Sequence, residues 1–324
     1  MNLRKLYYLM LIIPLFFFYT GCADDDTVDP PVVVNEAEVL TKYIVDNDNP
    51  LVNHTALTMI KASGVDANIT AGVDQFVIDI RSQEAWDAGH IKGSVYVNAS
   101  GVLAYYEEHN LQERASVVIA CFTGQTAGWV TSLMHMMGYT NVKDLKWGMC
   151  SWNDATADKW KANIKNGFPL VQTAKAKPAA GDLPDLNTGE TEGVDILRAR
   201  VEAVFAEGFG VSAVSNTSIS NHFIANYWNE TDYSWGHVDG AMQYSPNAAF
   251  TLDGALETLP TDQKIAVYCY TGQTSALVTA YLRVLGYDAQ SVLYGVNAMS
   301  YDDMPGTKFY PDTDIHDYEL IVAP

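Results

Sequence analysis

The chain has 324 residues, 48% apolar and 18% charged, a balance that implies packed cores and excludes a disordered or collagen-like protein. Acidic residues outnumber basic ones 39 to 19, and the net charge of −20 repels phosphate backbones, which excludes nucleic acid as a partner. Four cysteines with no C-x-x-C pair are too few for a disulfide scaffold and give no structural zinc or other metal site.

Arg4 and Lys5 precede an almost wholly apolar run, Leu6 to Tyr19, which is short for a spanning helix and is interrupted by Pro14. Thr20-Gly21 and then Cys22 follow, so residues 1–21 are expected to be an export signal that is removed. A cysteine directly after Gly21 resembles the bacterial lipobox, with Phe18 or Tyr19 where leucine is usual. That resemblance implies cleavage before Cys22, acylation of it, and a lipid anchor in the membrane of a bacterial cell envelope, on the periplasmic side or the cell surface. The alternative is a plain secretory signal with an incidental cysteine. Losing Arg4 and Lys5 leaves 17 basic residues against 39 acidic ones, a charge of −22. Residues 22–35, with Asp24-Asp25-Asp26 and Pro30-Pro31, read as a solvated acidic tether.

A first domain is expected over residues 36–172. Phe76 to Ile80 and Val117 to Ala120 are short β-branched runs, as strands buried on both faces should be. A six-residue loop, Cys121-Phe122-Thr123-Gly124-Gln125-Thr126, follows the second run. It leads into an apolar helix from about Thr126 to Met137, which Gly138 should stop in a left-handed cap. Residues 173–189 carry Pro178, Gly181, Pro184 and Gly189 without an apolar period and read as a linker. A second domain, 190–324, repeats the pattern: a strand at Ile265 to Tyr268, the loop Cys269-Tyr270-Thr271-Gly272-Gln273-Thr274, and a helix to Leu285 before Gly286. Residues 121–139 and 269–287 match without a gap at nine of nineteen positions. Gly89-His90 answers Gly236-His237 upstream, and Trp147-Gly148 answers Tyr294-Gly295 downstream. The chain therefore holds a duplicated unit. Each copy is expected to be α/β, an open parallel sheet flanked by helices.

Cys121 and Cys269 each end a strand at the carboxyl edge, where open α/β sheets bind ligands. The glycine at the fourth loop position lets the backbone curl so that N–H groups point inward and favour an anion. A thiolate there should have a lowered pKa and be nucleophilic at neutral pH. The bland reading, a small buried residue at a strand end, suits one such cysteine better than two.

These residues resemble the rhodanese family of sulfurtransferases. The resemblance is carried by Asp79-Ile80-Arg81, Glu84-x-Trp86-x-x-Gly89-His90-Ile91-x-Gly93 and the Cys121 loop, and again by Gly236-His237-Val238-x-Gly240 and the Cys269 loop. It implies a tandem of two rhodanese-like domains whose cysteines take sulfane sulfur from a small donor as a persulfide. A thiophilic acceptor, cyanide or another thiol, then removes it, and no metal or organic cofactor takes part. It makes Cys121 and Cys269 catalytic, residues 122–126 and 270–274 the substrate-binding loops, and Asp79 and Arg81 supporting residues. Six loop residues suit sulfur; the related phosphatases use a longer loop ending in Arg.

The chain departs from the family pattern in two ways. Asp79-x-Arg81 becomes Asn226-x-Trp228 in the second copy, and neither loop holds a Lys or Arg. Without a loop cation, thiosulfate is expected to be a weaker donor than persulfides or polysulfides, unless Arg81 completes the first site. His90 and His237 are expected to be architectural, and Trp147 and Trp152 to seal the core. Cys150 is either a buried inert thiol or a resolving partner for Cys121. The rival to an enzyme is a non-enzymatic rhodanese-like binding or sulfide-sensing lipoprotein.

Overall fold

The computed structural model describes residues 35–47, 59–247 and 249–323; the expected export signal, Cys22 and most of the tether lie outside them. Five strands form the first sheet: β1 (Met59–Ile60), β2 (Gln75–Asp79), β3 (Val95–Tyr96), β4 (Ser116–Ala120) and β5 (Val142–Leu145). All pairs are parallel, in the order β1-β5-β4-β2-β3. Central β4 is buried at every residue, which is why its sequence runs apolar without alternation.

The remaining strands are β6 (Leu170–Val171), β7 (Ala213–Val214), β8 (Phe223–Asn226), β9 (His237–Val238), β10 (Met242–Gln243), β11 (Ile265–Tyr268) and β12 (Ala289–Val292). Five of them form a second parallel sheet, β10-β8-β11-β12-β7, the same topology as the first. The fold is thus α/β, with two five-stranded parallel sheets flanked by helices.

The two loop helices span Gln125–Met136 and Gln273–Val284, each starting one residue before the expected position. Gly124 and Gly272 cap them in left-handed conformation, φ 82° and 78°, and Gly138 and Gly286 end them at φ 86° and 98°. The helices lie against one another: Ser132 Oγ donates to the Leu277 carbonyl across 2.7 Å, and Gly128 faces the Gln273 carbonyl. Packed between their own sheets and each other, they are buried almost all round, so neither shows a polar face.

The halves also exchange their tails. At the end of the first half, β6 pairs antiparallel with β9, Leu170 opposite Val238 and Val171 opposite His237. At the end of the second half, Ile321 bridges His90, Leu320 covers Gly89, and the Glu319 carbonyl accepts from Trp152 Nε1 at 2.8 Å. Each Gly-His turn is therefore a docking point for the other half's tail. Between the halves, the Gly181 amide donates to the Glu257 carbonyl, and Pro184 and Leu186 lie against Gly286. No helix among the described residues is long and apolar enough to cross a membrane.

Candidate active site

Cys121 follows β4 directly, and the loop after it is shaped from outside. Trp147 and Gly148 are both left-handed, φ 67° and 60°, and this double turn aims the Met149 and Cys150 amides at the Cys121 and Phe122 carbonyls, 2.8 and 3.0 Å away. A Cβ on Gly148 would stand 2.5 Å from the Cys121 carbonyl oxygen, so only glycine fits. The second half repeats this at Tyr294 (φ 61°) and Gly295 (φ 52°), where the Val296 and Asn297 amides hold the Cys269 and Tyr270 carbonyls at 3.2 and 2.9 Å. That is the physical content of the repeated aromatic-glycine pair. Trp160 Nε1 adds a bond to the Thr123 carbonyl at 3.1 Å.

Inside the first loop, Cys121 Sγ accepts from the Gly124 and Ala127 amides at 3.1 and 3.3 Å. The inward amides are present as expected; the lowered pKa is not. Burial pushes the Cys121 thiol up, outweighing the amides of Ala127, Thr123 and Gly124, and the Asp144 carboxyl raises it further. The expectation counted the amides and overlooked desolvation at a residue only 4% exposed. Cys269 sits in a different environment. Its Sγ accepts from the Ser275 amide at 3.3 Å and lies 3.5 Å from the Ser275 hydroxyl, which pairs with Ser291 Oγ at 2.8 Å. Ser275 and Ser291 stand where the first half has Ala127 and Asp144.

Not all loop residues face outward. Phe122 and Thr126, and Tyr270 and Thr274, are partly exposed, whereas Thr123, Gly124, Thr271 and Gly272 are buried. Gln125 and Gln273 are buried too and join the halves, Gln273 also lining the cavity beside the second loop. Gln125 donates to Thr123 Oγ1 at 3.0 Å and accepts from the Tyr294 amide at 2.8 Å. Gln273 lies against Gly124 in the reciprocal position.

Asp79 and Arg81 form a buried ion pair at 2.7 Å, and Arg81 Nη2 also donates to the Gly89 carbonyl at 2.7 Å. The pair ties the end of β2 to the Gly-His turn, and the guanidinium lies 5.5 Å from the centre of the Phe122 ring. In the second half, Trp228 replaces Arg81 and stacks on Tyr270 at 4.7 Å, while the Tyr270 hydroxyl bonds Asp232. Asn226 stands beside the Tyr268 hydroxyl. A ring partner for the loop aromatic is kept, although the charge is not.

His90, His237, Trp147 and Trp152 take structural places. His90 and His237 stack on Trp86 and Tyr233 at 3.8 Å, with Nδ1 on the Trp86 and Tyr233 carbonyls. Trp147 and Trp152 are buried. Cys150 is a free thiol packed with Trp147, Trp160 and Phe309, and burial pushes its pKa up to about 11.

Sequence reasoning missed the cations, because they come from outside both loops. Lys159 Nζ lies 4.6 Å over the Phe122 ring. Lys61 and Lys146 line a cavity against the second loop. They are distant from both cysteines in the chain, so no local spacing signals them.

The family model for the rhodanese-like domain matches residues 61–155 and 226–300. A relative described as "Putative thiosulfate sulfurtransferase SseB", from Mycobacterium tuberculosis, is 22% identical over 275 residues, 72% of this chain and 90% of that protein. "Thiosulfate sulfurtransferase GlpE" of Pseudomonas fluorescens is 29% identical over 91 residues, 28% of this chain and 78% of the relative. A crystal structure described as "Probable Thiosulfate Sulfurtransferase" aligns with 72% of this chain and 96% of its own, at 16% identity and a TM-score of 0.30.

Proposed function

The chain belongs to the rhodanese-like domain family, and from that premise we propose that it is a sulfurtransferase working through a cysteine persulfide at Cys121 and Cys269. The observation that carries this reading is the pair of thiols, each at the end of a central strand and each held by backbone amides, Cys121 by Gly124 of its loop and Ala127 in the first turn of the following helix, Cys269 by Ser275 in the equivalent turn. Such amides hold negative charge equally well on a thiolate and on the outer sulfur of a persulfide.

The thiolate attacks the sulfane sulfur of the donor, forming a new S–S bond. The donor's own S–S bond breaks, and its remainder leaves with the electron pair, as sulfite when the donor is thiosulfate. A thiophilic acceptor then attacks the outer sulfur, and the cysteine departs as thiolate. For Cys121 the raised pKa makes loss of the thiol proton part of the work of the first step. Cations beside both loops favour thiosulfate against the expectation drawn from the loops and the net charge alone. Thiosulfate is therefore the first donor to test, with organic persulfides as the second class.

Intact mass after incubation with thiosulfate tests the reading. The expected result is a gain of one sulfur atom for each working cysteine, lost at the substituted site in Cys121→Ser or Cys269→Ser. No adduct from any sulfane donor at either cysteine would leave a binding module in place of an enzyme. We further propose lipid attachment at Cys22, which the sequence of the leader supports.

A further inference from the structure

We infer that the second cysteine loop is completed by the first half of the chain, with Lys61 and Lys146 binding the anionic oxysulfur end of the donor in a cavity against that loop. The inference rests on the sulfurtransferase reading and names the donor class for one of its two sites.

The cavity holds about 380 Å³. One wall is Tyr270, Thr271 and Thr274 of the second loop; the other is Lys61 and Lys146 of the first half. The sheet itself brings the two lysines together. Ile60 and Leu145 are paired residues at the carboxyl ends of β1 and β5, and the Lys146 amide donates to the Ile60 carbonyl at 2.8 Å. Lys61 and Lys146 are the next residue on each strand.

The charge there is unusual for this protein. Two of only 19 cations stand side by side on a chain of net charge −20, and neither is in an ion pair among the described residues. Lys146 is half-buried over the Trp147 ring at 4.8 Å. Burial and the neighbouring Lys61 weaken its hold on its proton, while the Asp314 carboxylate, and Asp144 where it is ionised, strengthen it. Two neighbouring lysines lining one cavity together with Thr271 and Thr274 suit a small dianion with several acceptor oxygens. Thiosulfate has that form, and so does the sulfite it leaves.

The repeat shows the arrangement to be one-sided. In the second half the same two positions, after the pair Val214 and Val292, are Ser215 and Leu293, joined by the same backbone bond at 2.9 Å. The first loop therefore has no matching lysine pair; among the described residues the cations at its Phe122 ring are Lys159 and Arg81, the latter already paired with Asp79.

The test uses the full chain carrying Cys121→Ser, so that only Cys269 reports. Lys61→Gln and Lys146→Gln are introduced singly and together, and kcat/KM is measured with thiosulfate and with a monoanionic alkyl persulfide, cyanide being the acceptor. The double variant is expected to lose about tenfold or more with thiosulfate beyond whatever it loses with the alkyl persulfide, chiefly through KM. Lys146→Arg should recover much of the loss. Equal losses with both donors, or none with thiosulfate, would overturn the inference and leave the sulfurtransferase reading standing. No persulfide on Cys269 from either donor would instead overturn that reading at this site.

Discussion

Asp144→Asn isolates a group whose ionisation the fold opposes. Asp144 is fully buried, and neither carboxyl oxygen has a hydrogen-bond partner among the described residues. Burial pushes its pKa from 3.8 to about 8, against a weaker pull from Lys146. A raised folded-state pKa means that the folded protein holds this proton more tightly than the unfolded chain does. The associated stability is complete below pH 4 and is lost as pH climbs toward 8. At about 1.36 kcal/mol per pH unit, the loss between pH 5 and 8 is about 4 kcal/mol. Asparagine cannot ionise, so this loss is absent from the variant. Taking variant minus wild type at each pH cancels the other titrating groups. The Tm difference should therefore widen in favour of Asp144→Asn by roughly 8 °C from pH 5 to pH 8. Melting curves that shift in parallel over that range would show that Asp144 titrates as an ordinary carboxylate, and the reasoning would fail.

The glycine that closes the first loop gives a site-selective outcome. Gly148→Ala forces a Cβ to within 2.5 Å of the Cys121 carbonyl oxygen at a left-handed φ, so peptide mapping after donor treatment should find sulfur on Cys269 and little on Cys121; equal loading of both cysteines would refute it. Arg81→Ala strands the buried Asp79 carboxylate and should cost about 3–5 kcal/mol in denaturant unfolding. The joint change Asp79→Asn with Arg81→Trp, which imports the second half's residues, should cost clearly less, and an equal cost would count against the bracing role. Fatty-acid labelling in a bacterial host should mark the wild type and spare Cys22→Ala; an unlabelled wild type would end the lipoprotein proposal.

What could be read from the sequence follows from the length scale of each constraint. β4 and β11 must be apolar on both faces, so their runs are plain, and Gly138 and Gly286 announce the left-handed stops of the helices between. The edge strands β1 and β7 have two residues each, too short for any period to register, yet β1 sets Lys61 beside Lys146. Both loops were visible as repeats, but the meaning of Trp147-Gly148 was not. It needs the Cys121 and Phe122 carbonyls in space. The environment of Cys121 was misjudged for a similar reason: amides near the sulfur follow from loop spacing, whereas the desolvation that outweighs them depends on everything packed above.

The duplicated sequence suggests two domains able to fold separately, and the packing argues otherwise. Four tryptophans of the first half rest on rings beyond residue 190. Trp129 meets Phe205 and Phe209, and Trp147 meets Phe309. Trp160 meets Tyr294 and Phe309, and Trp152 meets Tyr318. Burying one large apolar side chain contributes roughly 1.5–3 kcal/mol, so exposing much of four removes an amount similar to the whole stability of a domain, about 5–15 kcal/mol. The exchanged tails add the His90–Ile321 bridge and the Trp152 bond to Glu319, both absent when the first half is produced without the second. Residues 36–172 produced alone should therefore give a broad, non-cooperative melt and bind a hydrophobic dye. Co-production with residues 173–324 should restore a sharp transition. A sharp, dye-free melt from the first fragment alone would mean that these contacts only decorate a self-sufficient domain. The cysteine loops could then function in isolation, and the reciprocal glutamines Gln125 and Gln273 would have no bearing on activity.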